Sequence, residues 1–245
     1  MIFAPSSGSQ LSLLQGAQLS PESSLWLALL LALALLPFFL ALVTSFAKFA
    51  IVGGLLRQAL GTPHVPPNSV VTGIALLLSV FVMAPVAEKA YLGYRTEVGD
   101  DPSLTSGERL AAGWRATESE LSTFLERHAN ETDRTLFAGI SERLRTASEA
   151  PPIDPEDEQL ARTRRLLTEL APAFLLSELS EAFQIAFLLF LPFLVIDLVV
   201  SNVLLALGMH MLSPTAIALP LKLLLFVAVD GWRLLFTGLL GGYTG

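Results

Sequence analysis

"SSLWLALLLALALLPFFLALVTSFA", residues 23–47, runs without a charge between Glu22 and Lys48. A hydrocarbon core of about 30 Å takes roughly 20 apolar residues in a helix, so this stretch is long enough to span a membrane. Pro37 inside it predicts a kink, tolerable in lipid where neighbouring helices re-satisfy the freed carbonyl. Before it, "MIFAPSSGSQLSLLQGAQLSPESS" (1–24) lacks the basic region of a cleaved signal peptide, so the run is expected to stay in the mature protein.

Apolar character continues past Lys48 to Arg57, where "GTPHVPPN" (61–68) makes a rigid break at Pro66 and Pro67. A second uncharged stretch follows to Ala87, with the core "VVTGIALLLSVFVMAPV" (70–86). Residues 87–170 then hold 17 of the 22 acids and 11 of the 15 bases, so the net charge of −7 describes one polar segment. "PAFLLSELSEAFQIAFLLFLPFLVIDLVV" (172–200) and "TAIALPLKLLLFVAVDGWRLLFTGLL" (215–240) form the third and fourth apolar regions. The composition agrees: 15% charged residues, against about 25% in soluble domains, and a mean hydropathy of +0.62. The expected fold is an all-α membrane protein of helical hairpins, built from about four apolar segments. A small helical polar domain is inserted between the second and third. Its parts are an N-terminal segment (1–24), a first apolar pair (25–86), the polar domain (87–170) and a second apolar pair (171–245).

In the polar middle, Leu110, Trp114, Leu121, Phe124 and Leu125 recur at helical spacing, with Ser106 as the expected cap. A second helix is expected from Glu131 to Arg145, and "SEAPPIDPEDEQ" (148–159) reads as an acidic, turn-rich linker. Lys48 and Arg57 flank the first loop, which the positive-inside rule puts in the cytoplasm, leaving the polar middle on the far side.

Catalytic motifs are missing: there is no GxSxG, Walker A or HExxH, and cysteine is absent. The three histidines, His64, His128 and His210, have no metal-ligand spacing, and no basic patch suits nucleic acid. The expectation is therefore a non-enzyme without metal or cofactor. Ionisable residues within the apolar runs carry more information, because each is costly in lipid unless paired. They are Lys48, Glu178, Glu181, Asp197, Lys222 and Asp230. A proton path would use Asp197 and Lys222, whereas ion pairing between helices or subunits suits acids that do not cluster. Glu178 and Glu181 share a helical face and could meet a partner subunit's base, while Asp230 and Arg233 are spaced to bracket one helix end. Gly53 and Gly54 permit close helix approach.

One break stands out. In "LALGMHMLSP" (205–214), Gly208 and Pro214 enclose Met209, His210, Met211 and Leu212. A single Met-His-Met triplet offers too few ligands for a copper(I) site. Methionine is flexible and polarizable, and several copies of such a loop in a ring could form an adaptable apolar constriction.

"TSFAKFAIVGGLLRQALGTPHVPPN" (44–68), "FVMAPV" (81–86), the run 172–200 and "LALGMHMLSPTAIALPLKLLLFVAVDGW" (205–232) resemble the SctR/FliP family. Lys48 after "TSF" and the pair Ser213-Pro214 lean towards its injectisome branch. The resemblance implies a core membrane subunit of the type III secretion export apparatus, a gate through which unfolded secreted proteins pass. It implies a homo-oligomer, a pentamer, with SctS/FliQ-like and SctT/FliR-like subunits and other export-apparatus proteins, in the bacterial inner membrane and projecting towards the periplasm. Membrane lipid is the further partner. By the same resemblance Met209, His210, Met211 and Leu212 match a methionine gasket that seals the pore, His210 departing from the usual methionine. Pro66 and Pro67 match a structural break, and Lys222 and Asp230 match charges at subunit contacts. The rival reading is a proton-coupled small-solute transporter working through Asp197 and Lys222.

Overall fold

The computed structural model describes residues 21–62, 64–99, 103–148 and 157–244, in two units, 1–40 and 41–245. The start of the N-terminal segment and most of the acidic linker lie outside the described residues. The chain is all-α. Its helices are α1 (Pro21–Val43), α2 (Phe46–Leu60), α3 (Asn68–Val98), α4 (Ser106–His128), α5 (Glu131–Ala147), α6 (Glu158–Ala206), α7 (Pro214–Ala228) and α8 (Gly231–Gly241). Along α1, Leu30, Leu31, Leu33 and Phe38 are exposed, an apolar surface suited to lipid or to another protein.

In the second unit the core is built on α2. Phe49, Val52, Leu56, Ala59 and Leu60 recur at three- and four-residue spacing and are buried against Ala75 and Leu78 of α3 and Ala182 and Phe193 of α6. Phe226 of α7 and Leu235 and Leu239 of α8 close it. Gly53 sets the α2–α3 distance: a Cβ there would lie 2.8 Å from Val71 Cγ1. The helix stops at Gly61, whose φ of 78° frees its own N–H for Gln58 O, while Thr62 N–H reaches Arg57 O.

Among the described residues two helices are long and apolar enough to cross a membrane, α3 with 31 residues and α6 with 49. Counting the broken pairs Pro37–Val43 with Phe46–Leu60 and Pro214–Ala228 with Gly231–Gly241 as spans raises the number to four. At a rise of about 1.5 Å per residue, α3 is about 46 Å long and α6 about 73 Å, both beyond a core of about 30 Å. Both therefore continue as single helices into the polar segment. The fourth apolar region is not one helix: it bends by 61° at Val229-Asp230, where Asp230 takes a left-handed φ of 51°. A non-glycine residue in that conformation ends a helix.

The polar helices pack on these two. Gly93 faces Ala116 and Gly113 faces Tyr94, so α4 runs antiparallel along α3, and its far end reaches Val82 and Val86. The α4 cap is Thr105 rather than Ser106. Thr105 accepts from Glu108 N–H while the Glu108 carboxylate accepts from Thr105 N–H, a reciprocal capping box that Ser106, already inside the helix, cannot make. Leu121, Phe124 and Leu125 are buried as their spacing predicts, but Leu110 is exposed and Trp114 partly so. Asn130 caps α5 and Asp157 caps α6. Ser177 on α6 donates to Asp133 at 2.6 Å and accepts from Asn130 N–H at 2.8 Å, tying the start of α5 to α6.

Candidate functional site

Between α6 and α7 lies a tight, self-bonded loop. Gly208 adopts φ 73°, and Met209 N–H returns to Leu204 O at 2.9 Å while His210 N–H bonds Gly208 O at 3.0 Å. Leu212 N–H closes onto Met209 O, and Pro214 starts α7 at the position where a missing N–H costs nothing. With the backbone folded onto itself, the side chains point away: Met211 is 99% exposed, and Leu207, Met209, His210 and Leu212 are exposed as well. The loop thus presents sulfur and aliphatic carbon outward at the joint of two apolar helices. Such a surface suits contact with another chain rather than water.

The ionisable residues of the apolar segments fall into three groups. In the first, Lys48 of α2 donates to Glu178 at 3.2 Å and lies 2.6 Å from Glu181, so the base facing these two carboxylates belongs to the same chain. Lys48 and Glu178 are almost wholly buried, whereas Glu181 is half-exposed. Tyr243, beyond α8, donates its hydroxyl hydrogen to the other oxygen of Glu178, and its ring lies 4.5 Å beneath the Lys48 ammonium. Phe124 and His128 of α4 complete this aromatic cage, with His128 5.1 Å from Tyr243. Burial, and then the cations Arg127 and Lys48, hold the His128 imidazole below its usual pKa and so in its neutral form.

In the second group, Lys222 of α7 donates to Asp197 of α6 at 2.6 Å and to Ala59 O of α2 at 3.1 Å, joining three helices. Lys222 is buried and Asp197 half-exposed, yet Asp197 Oδ1 is enclosed without a partner among the described residues. The third group is Asp230, which precedes α8 and whose ion-pair partner among the described residues is Arg233 of that helix, 3.8 Å away with both side chains exposed. At the first break, Pro66 O accepts from Arg57 Nη1 at 2.9 Å, which fixes the turn leading to Pro67 and α3.

Sequence reasoning did not single out Tyr243 or the hydroxyl cluster at the start of α2. There Ser79 donates to Thr44 at 3.1 Å, with Ser45 beside it, all three buried. A phenol near a chain end, or scattered hydroxyls, carry no periodic signal. Only the long-range pairing of α3 and α6 with α2 gives them partners.

The described residues define an all-α membrane protein whose apolar segments hold their buried charges, Lys48, Glu178 and Lys222, in pairs. Residues 29–239 match the FliP family. The chain is 42% identical over 230 residues to the Yop proteins translocation protein R of Yersinia pestis, covering 93% of this chain and 99% of that one. It is 41% identical over 212 residues to the hypersensitivity response secretion protein HrcR of Ralstonia nicotianae, covering 86% and 93%. With the flagellar biosynthetic protein FliP of Caulobacter vibrioides it shares 40% over 221 residues, covering 89% and 76%. The chain belongs to the FliP family, membrane proteins of type III secretion and flagellar export. The names of these relatives speak of secretion, translocation and flagellar biosynthesis, and none of a chemical reaction.

Proposed function

We propose that this chain is a pore-forming subunit of a type III secretion export gate of the injectisome branch, in the bacterial inner membrane. Unfolded substrate proteins pass through a conduit that it builds with further copies of itself, five in all, together with SctS/FliQ-like and SctT/FliR-like subunits. The polar segment 87–170 stands on the periplasmic side. The loop at 208–214 closes the conduit, with Met209, Met211 and Leu212 as the compliant seal and His210 among them.

The observation that carries this reading is the outward display of Met211, 99% exposed, on a loop whose backbone is folded onto itself. Methionine side chains re-pack around variable surfaces, as a seal yielding to many sequences requires. An apolar constriction also excludes ions by dewetting. The transporter reading draws less support, because Lys222 is held by Ala59 O as well as by Asp197, a tie among helices rather than an open solute site.

The test is ion leak through membranes containing the assembled complex, wild type against Met209→Ala with Met211→Ala. Raised leak with assembly intact is expected. Unchanged leak with assembly intact would place the loop against other chains and defeat the seal.

A further inference from the structure

The loop between α6 and α7 displays electron-pair donors as well as apolar surface. Cysteine is absent from the chain, and two of its four methionines, Met209 and Met211, stand here on either side of His210. All three side chains are exposed. Main-chain bonds close the turn, Met209 N–H to Leu204 O and His210 N–H to Gly208 O, so it makes no use of the two thioethers or the imidazole. The His210 ring has no hydrogen-bond or ion-pair partner among the described residues. No carboxylate lies between Asp197 and Asp230 in the chain, and Asp197 already faces Lys222. Thioether and imidazole without carboxylate suit a soft cation and offer little to magnesium or calcium, which take oxygen ligands.

We propose that the assembled loops bind a soft monovalent cation, copper(I) or silver(I), through the thioethers of Met209 and Met211 and the imidazole of His210 of neighbouring copies. One triplet falls short of a closed site, so the site is incomplete without a second copy. The inference therefore rests on the ring proposed above, where the loops of several copies meet. A cation shared between copies ties their loops together and holds the seal closed. The methionines that yield to a passing chain then resist it for as long as the metal is bound. Other soft donors of the chain compete little. Met83 is half-buried on α3, His128 is half-buried against Phe124 and Tyr243, and His64 has no methionine beside it in sequence.

The purified assembled complex would be incubated with silver(I) in chloride-free buffer and desalted, and its bound silver counted. Native mass spectrometry of the same sample gives the number of copies of this chain. Silver is expected to be retained, with sulfur and nitrogen neighbours in its X-ray absorption spectrum. Met209→Leu with Met211→Leu, which exchanges thioether for hydrocarbon of similar size, should lose most of the silver. His210→Phe should remove the nitrogen neighbours, whereas Met83→Leu and His64→Gln should change nothing. Equal retention by wild type and the double leucine variant, or displacement of silver by equimolar zinc(II), would overturn the proposal. So would a wild-type spectrum with oxygen neighbours alone, which decides the matter even where the leucine variant does not assemble. Several copies holding no silver would defeat this site and leave the ring standing. A single copy in the complex would defeat the ring and the site with it.

Discussion

Tyr243 donates its hydroxyl hydrogen to Glu178, a residue 65 positions earlier, and so fastens the chain beyond α8 to the buried ion pair on α6. Glu178 thereby has both oxygens engaged, one by Lys48 and one by Tyr243. A carboxylate that is almost wholly buried is tolerable only in such company.

Removing one partner should be far worse than removing two. Lys48→Met leaves Glu178 charged in a closed site, and about 3–5 kcal/mol of stability should be lost. Lys48→Met combined with Glu178→Met should lose less than either single change, whereas Glu181→Gln, at a half-exposed position, should lose under about 1 kcal/mol. Tyr243→Phe should lose about 1–3 kcal/mol by orphaning one buried carboxylate oxygen. Denaturant unfolding of the purified chain in detergent reads all five, Glu178→Met alone included, and additive single changes at Lys48 and Glu178 would contradict the pairing.

The α2–α3 approach offers a local control. A Cβ on Gly53 would meet Val71 Cγ1 at 2.8 Å, whereas one on Gly54 meets nothing within 4 Å. Gly53→Ala should therefore destabilise by about 1–3 kcal/mol through overpacking, and Val71→Ala should recover part of it. Gly54→Ala should be neutral or slightly stabilising, since alanine favours helix over glycine. Equal unfolding midpoints for the two alanine variants would show that the contact is not tight.

His128 supplies a pH dependence. Its pKa in the folded chain lies below the usual value of 6.5, so on acidification the unfolded chain takes up the proton first. Its contribution to stability is therefore complete above pH about 6.5 and declines as the pH falls from there through the folded value. His128→Phe keeps an aromatic ring beside Phe124 and Tyr243 but cannot titrate. Its unfolding midpoint should fall less than that of wild type between about pH 8 and about pH 5. Parallel curves would assign the pH response to other groups.

Four apolar regions and the breaks at Pro66-Pro67 and Gly208–Pro214 were legible because uncharged length and helix-breaking residues are properties of the sequence itself. The same holds for Leu121, Phe124 and Leu125, whose spacing places them on one face. Which base meets Glu178 was not legible. Lys48 lies 130 residues away, and only the packing of α2 on α6 selects it over a base on another chain. The split of the last apolar region escaped hydropathy, although the Asp230/Arg233 spacing pointed to a helix end there, because the left-handed torsion of Asp230 leaves no mark on apolar content. The cap of α4 was missed by one residue, since Glu108 lies at the distance that serves Thr105.

The loop between α6 and α7 has a last consequence. Leu207, Gly208, Met209, His210 and Leu212 all direct their N–H groups to carbonyls within or just before the loop. If a polypeptide passes this loop as proposed, it would therefore find no row of main-chain donors on these residues to zip onto, as it would along an open strand edge. Apart from the His210 ring, what it would touch is thioether and hydrocarbon, which do not read sequence or register. Friction at such a surface would depend on the bulk of the passing side chains rather than their order.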